Sequence, residues 1–292
     1  MLWAILPGTI VQGASIHGNK KHTLGYKLNG HLTFWVVVLG VAVSESSNQF
    51  PLNEYLYRYY NQLAFMDILL CFVLSCFIYA MSFVRPSGKT ILAKGGNSGN
   101  AVYDFFIGRE LNPRLGRSFD WKVFCELRPG LIGWILLNWA CAQEQLKLHG
   151  SISGSMWFIN ISQAIYVWDA LYQERAILTT MDVTTDGFGY MLIFGDLAWV
   201  PFTYSVPAKY LVHHDPNLSP AALAFIVASY ILGYYIFRGS NGQKDRYRRN
   251  PNDPSVAHLT YLQTKRGTRL LMSGWWGMAR KINYTGDYTS WA

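Results

Sequence analysis

The apolar positions of this chain gather into long unbroken stretches instead of one-sided stripes. Five of them approach the ~20 predominantly apolar residues that a membrane-crossing helix needs: 61–84, 127–142, 155–172, 187–206 and 220–237, with 28–43 as a weaker sixth. They are apolar on every side of a helix, which separates them from amphipathic surface helices. Stretch 220–237 carries no charge, while 61–84, 155–172 and 187–206 each carry one acid, Asp67, Asp169 and Asp196. Substantial polar segments alternate with them, so a chain that is 51% hydrophobic and 14% charged has a mean hydropathy of only +0.10. The pattern predicts an all-α, multi-pass transmembrane helix bundle of about six spans. It divides into a membrane domain over 1–237, with a cytoplasmic loop at 85–128, and a cytoplasmic segment over 238–292.

Charge sets the orientation. With six spans, one side of the membrane receives 7–27, 85–128, 173–186 and 238–292, and takes all but three of the 25 Lys and Arg residues. The other side keeps Arg58, Lys147 and Lys209. Lys and Arg accumulate on the cytoplasmic side of membrane proteins, so both long polar segments are expected there. The apolar start, 1–6, is too short and lacks the basic flank of a cleavable signal. The four cysteines, Cys71, Cys76, Cys125 and Cys141, sit in or beside apolar stretches without CxxC spacing, the pattern of ordinary buried thiols and not of a metal or disulfide framework.

The C-terminal segment is the most basic part of the chain, with ten Lys and Arg between Arg238 and Lys281, among them Lys244, Arg248, Lys265, Arg266, Arg269 and Arg280, against Asp245 and Asp253. Such density fits attraction to anionic lipid and the setting of topology. It equally fits recognition of a nucleotide's phosphates, because arginine presents a planar fork matched to phosphate oxygens. Nucleic acid is not expected as a partner, since no recognition motif accompanies the charge. No GxGxxG follows a strand, so a nucleotide would have to bind without a Rossmann site.

Ionisable groups at membrane depth are costly and are paired or functional. In ISQAIYVWDALYQE, Tyr166 and Asp169 lie one turn apart on one helix face. They suit an interhelical hydrogen bond, and they equally suit a sheltered tyrosine–acid relay that delivers a proton. Asp196, in FGDLAWVPF beside Pro201, suits the cap of a broken helix or the wall of a cavity.

Two long motifs carry a family likeness. The stretch GGNSGNAVYDFFIGRELNPRLG at 95–116, followed by FDWKVFCELRPGLIGWILLN at 119–138, resembles the sterol reductase family, as does LLMSGWWGMARKINYTGD at 270–287. That family includes the C-14 reductases, the membrane domain of lamin B receptor and 7-dehydrocholesterol reductase. Residues 124–130, 178–182 and 186–189 look most like the C-14 members. The resemblance implies a membrane enzyme of the endoplasmic reticulum in which NADPH reduces the C14–C15 double bond of a sterol. By the same resemblance FRGSNGQKDRYR implicates Arg238, Asn241, Lys244 and Arg248 at the cofactor's phosphates. The tryptophan-rich motif implicates Leu271, Trp276, Arg280, Asn283, Tyr284 and Asp287 around it, and Tyr166 aligns with the family's proton-relay tyrosine. Lys281 and Thr185 stand where the family often has histidine. The family continues past its glycine–aspartate pair through further helices and an HRxxRDExxCxxKYG motif, whereas this chain ends five residues beyond Asp287, which gives the expectation of a truncated product. The rival expectations are a non-catalytic scaffold of the lamin B receptor type and an inactive truncated isoform.

Overall fold

The computed structural model describes residues 2–14, 23–47, 50–84, 90–116, 118–265, 267 and 269–291. Arg266, one of the ten basic residues of the C-terminal segment, lies outside them. The chain forms two compact units, 1–216 and 217–292.

In the first unit, in chain order, α1 (Leu2–Ile5) leads to an antiparallel pair, β1 (Thr9–Gln12) and β2 (Gly25–Leu28), then to α2 (Gly30–Ser46), α3 (Leu52–Arg58), α4 (Tyr60–Val84) and α5 (Ala101–Ile107). A second pair, β3 (Arg114–Leu115) and β4 (Phe119–Asp120), precedes α6 (Trp121–Cys125), a π-helical turn at Glu126–Gly130 and α7 (Leu131–His149). Next come α8 (Gly154–Tyr172), α9 (Glu174–Ile177), α10 (Met181–Thr184), α11 (Tyr190–Phe194), a π-helical turn at Gly195–Trp199, α12 (Val200–Tyr204) and α13 (Val206–Leu211). The second unit holds α14 (Pro220–Arg249), a hairpin of β5 (Tyr261–Gln263) and β6 (Arg269–Leu271), α15 (Trp275–Met278) and α16 (Ile282–Trp291). The architecture is mostly helical, and the three small strand pairs are a departure from the all-α expectation.

Local chemistry sets the helix ends. Ser153 caps α8 by accepting from the amide of Met156, and Ser219 caps α14 by accepting from Ala222, with Pro220 at the first helical position where its missing N–H costs nothing. Asp120 does the same for α6 through Val123, at 3.1 Å.

Two described helices are long and apolar enough to cross a membrane, α4 and α14, and α2 is a shorter apolar helix. Large apolar side chains on α4 and α14 face outward: Phe65 is 61% exposed and Phe225 74%. Contiguous exposed apolar surface of this kind marks a lipid or protein contact. The expected stretch 187–206 is instead composite, with α11 and α12 joined by the π turn. Proline is the cause in both composite helices: Pro129 and Pro201 bring no N–H to the ladder and crowd the preceding turn, and a widened turn relieves both. The boundary expected at 237/238 falls inside α14, so Arg238, Lys244 and Arg248 ride the same helix as the uncharged stretch 220–237.

The two π turns meet. A Cβ on Gly130 would lie 2.0 Å from the carbonyl oxygen of Asp196, so only glycine lets the backbones touch. The main core of the first unit includes Phe34, Val123, Leu127, Ile132, Trp134, Val167, Leu171 and Leu178, and a second cluster, with Cys125, Leu197 and Ala198, lies at this crossing.

Candidate functional site

In the second unit the C-terminal half of α14, the β5–β6 hairpin, α15 and the start of α16 enclose a cleft of about 790 Å³. The tryptophan motif builds its wall by docking on α14. Trp276 Nε1 donates to the Ser240 carbonyl at 2.9 Å, and the Trp275 amide donates to Gln243 Oε1 at 3.1 Å. A Cβ on Gly239 would come within 3.0 Å of the Trp275 ring, which explains the small residue there. Further back, a Cβ on Gly233 would reach 2.6 Å from the Gly286 carbonyl, so α16 lies directly on the α14 backbone. Tyr247, Val256 and Leu259 bury together with Leu271 against them and hold the segment after α14 to the hairpin.

Lys244, Arg248, Leu271, Trp276, Arg280, Asn283 and Tyr284 all line this cleft. Arg238, Asn241 and Asp287 are not among its walls. The helical period accounts for part of this: Lys244 and Arg248 are four residues apart and share a face, whereas Arg238, six residues before Lys244, points roughly a third of a turn away. Arg269 on β6 and Lys281 complete the cationic lining. Arg269 entered the sequence reading only as one charge among ten, because nothing in its spacing marks a hairpin folded over a helix. Five cations thus face the cleft, and no carboxylate does among the described residues. Aromatic faces hold several of them: Lys244 Nζ lies 4.2 Å from the centre of the Trp276 ring, Lys281 4.9 Å from Tyr284 and the Arg269 guanidinium 4.5 Å from Tyr261. Asp245 is turned to an exposed ion pair with Arg249 at 2.6 Å. A cleft of this size, cationic and aromatic, fits a phosphorylated dinucleotide in charge and volume.

The first unit holds Tyr166, expected at membrane depth, and several buried polar groups that were not singled out in the sequence. Tyr166 is 36% exposed on α8, with its ring 5.9 Å from that of Trp134. Trp134 Nε1 and Asn138 Nδ2 both donate to Gln163 Oε1, at 2.8 and 2.5 Å, which joins α7 to α8 by their buried polar residues. Arg128 and Glu174 form a buried ion pair at 2.6 Å, and Glu174 also accepts from the Gly30 amide at the start of α2 at 2.8 Å. The carboxylate is thus stabilised twice, by the guanidinium and by the helix N-terminus.

A second cluster lies where the other family motifs cross. Lys122 has no exposed surface and donates to the carbonyls of Asp182, Val183 and Asp186, the last at 2.7 Å. It therefore clamps the segment leading into 186–189. Burial pushes the Lys122 ammonium down to about 8, against the pull of Asp120, Glu126, Asp186 and Asp182. Burial also raises Glu126 to about 7, with Asp182 adding to the effect. The glycines of these motifs are close-approach positions: a Cβ on Gly187 would lie 1.8 Å from the Gly108 carbonyl, and Phe188 donates to the Glu110 carbonyl at 2.9 Å. Sequence reading found these motifs by likeness but not their mutual contact.

The chain matches the ergosterol biosynthesis ERG4/ERG24 family over residues 1–292. This chain belongs to that family. It is 50% identical over 271 residues to mouse delta(14)-sterol reductase TM7SF2, covering 91% of this chain and 63% of the relative. It is 50% identical over 294 residues to delta(14)-sterol reductase erg24 of Schizosaccharomyces pombe, covering 100% and 68%. The chicken delta(14)-sterol reductase LBR is 46% identical over 289 residues, 98% of this chain and 44% of the relative. The chain spans about two thirds or less of the length of these curated relatives. Membership bears out the resemblance seen at 95–138 and 270–287.

Proposed function

We propose that this chain belongs to an NADPH-dependent delta(14)-sterol reductase of the endoplasmic reticulum membrane, with six spans and both long basic segments in the cytoplasm. The observation that carries this reading is the cleft at 244–284: seven residues singled out for a cofactor, drawn from a helix, a strand, two further helical segments and the turn between them, line one cationic cavity. Lys244, Arg248, Arg269 and Arg280 supply the charge for the phosphates, Trp276 and Tyr284 the flat faces for the rings, and Asn283 a hydrogen-bonding amide. When bound, the reduced nicotinamide supplies the hydride. The second requirement is a proton for the other alkene carbon, and Tyr166 donates it. The hydride and the proton together turn the C14–C15 double bond into a single bond and leave the nicotinamide oxidised.

The names of the relatives support the substrate class, and the outward apolar faces of α4 and α14 support the membrane setting. Membranes carrying this protein, given NADPH and a C14-unsaturated sterol, are expected to consume cofactor and form the C14-saturated product, and Tyr166→Phe is expected to lower the rate by about 100-fold with little change in cofactor affinity. Turnover equal to wild type in the Tyr166→Phe protein would overturn the assigned proton donor. Absence of product with wild type would overturn the reductase reading.

A further inference from the structure

The cationic cleft of the second unit has two distinct ends, and the contacts along α14 put its walls in order. Gly286 of α16 lies against the backbone at Phe237, where a Cβ on the glycine would come within 2.5 Å of the Phe237 amide nitrogen, and Asn283 and Tyr284 stand beside this contact. Trp276 comes next, bonded to the Ser240 carbonyl at 2.9 Å with Lys244 Nζ 4.2 Å from its ring centre. The β5–β6 hairpin comes last. There the Tyr261 ring packs on Tyr247 with centroids 6.2 Å apart, and the Arg269 guanidinium lies 4.5 Å from the centre of the same Tyr261 ring. Phe237 and Tyr247 are ten residues apart on α14, which is about 15 Å along the helix axis.

That order gives a bound dinucleotide a direction. Stretch 220–237 of α14 carries no charge, so the Phe237 end of the cleft adjoins the apolar part of the helix. A sterol stays with lipid, and hydride transfer needs the nicotinamide in contact with it, so the nicotinamide takes the Phe237 end and the adenosine the Tyr247 end. Lys244 and Arg248 lie one turn apart on one face of α14, and as neighbouring cations between the two ends they suit the pyrophosphate. Lys281, with Nζ 4.9 Å from the Tyr284 ring, and the adjacent Arg280 belong with α16 at the nicotinamide side. The cation left at the adenosine end is Arg269.

We infer that Arg269 reads the 2′-phosphate of the adenosine ribose, the one group by which NADPH differs from NADH, and so sets the cofactor preference of this chain. The inference rests on the NADPH reading above and adds to it the residue that selects between the two cofactors. A phosphate monoester carries about −1.5 to −2 charge at neutral pH, and a guanidinium meets its oxygens with two parallel donors. The Tyr261 face supports the plane of the Arg269 fork and leaves the N–H groups along its edge for the phosphate. In nicotinamide cofactor sites a carboxylate beside the ribose favours NADH and an arginine favours the phosphorylated form. No carboxylate lines this cleft among the described residues.

The test is titration calorimetry on the purified whole chain with NADPH and with NADH, comparing wild type, Arg269→Gln and Arg269→Lys. Wild type is expected to bind NADPH at least about tenfold more tightly than NADH. Arg269→Gln is expected to lose about tenfold for NADPH while its NADH affinity stays within about twofold of wild type, which also shows that the cleft is folded. Arg269→Lys, which keeps the charge and loses the fork, is expected to fall between the two. Equal affinity of wild type for NADPH and NADH would overturn the inference. So would an Arg269→Gln protein that loses the same factor for both dinucleotides or loses nothing for NADPH, and each of these results leaves the cofactor reading in place. A wild type that binds neither dinucleotide would overturn the cofactor reading and this inference together.

Discussion

Lys122 is a cation with no exposed surface whose nitrogen is spent on backbone carbonyls of the segment 182–186. Its free energy depends on pH with a definite sign. In the fold it titrates near 8 and in the open chain near 10.5, so between those values the unfolded chain holds a proton that the folded one releases, and its contribution to stability rises with pH. The full span is on the order of 3 kcal/mol. Glu126 acts in the opposite direction at lower pH: raised from 4.5 to about 7, it favours the fold most below 4.5 and loses that advantage as pH climbs through 7. Relative to a Lys122→Met, Glu126→Gln double variant, the wild type is expected to be least stable between about pH 7 and 8, read as thermal unfolding in detergent across pH 4.5 to 10.5. A flat difference, or a maximum there, would contradict the assignment. The same scale holds a steric prediction. Gly130→Ala would place a methyl carbon 2.0 Å from the Asp196 carbonyl and is expected to cost about 3 kcal/mol, seen as a lowered unfolding midpoint. Single residues were the least legible part of the sequence. Gly130, Gly187 and Lys122 stood inside recognisable motifs, but their roles are contacts between segments 60 or more residues apart, which spacing along one segment does not encode.

At the scale of elements, hydropathy located the helices well where they are straight. Stretches 61–84 and 155–172 correspond to α4 and α8, and 220–237 to the first part of α14. It failed to anticipate the interruptions at 126–130 and 195–199, because a sliding sum of apolar residues does not register that Pro129 and Pro201 remove backbone donors. It also missed the strand pairs, which are two to four residues long and below any periodic signal. In the second unit, α14 and α16 touch through Gly233 and Gly286, and this contact sets Asn283 and Tyr284 against Lys244 and Arg248. Gly233→Leu is therefore expected to push α16 outward and weaken NADPH binding about tenfold or more, although position 233 does not line the cleft. Unchanged affinity in a folded Gly233→Leu protein would show that α16 does not organise the site.

For the whole molecule, family membership was legible from two long motifs, and most of the candidate cofactor residues were legible with it, because a motif keeps the residues of a site in order even when their geometry is hidden. What remained hidden was which of those residues converge. Arg238 lies off the cleft and Arg269 lines it, since convergence depends on the helical face and on a hairpin closing back over α14. The central claim is that this cationic cleft holds the phosphates of NADPH. Isothermal titration calorimetry on the purified chain tests it most directly, comparing wild type with Lys244→Ala, Arg248→Gln. The wild type is expected to bind NADPH, with an affinity that falls as salt rises, and the double variant to lose at least about 30-fold. Equal affinity in the two proteins would contradict the account.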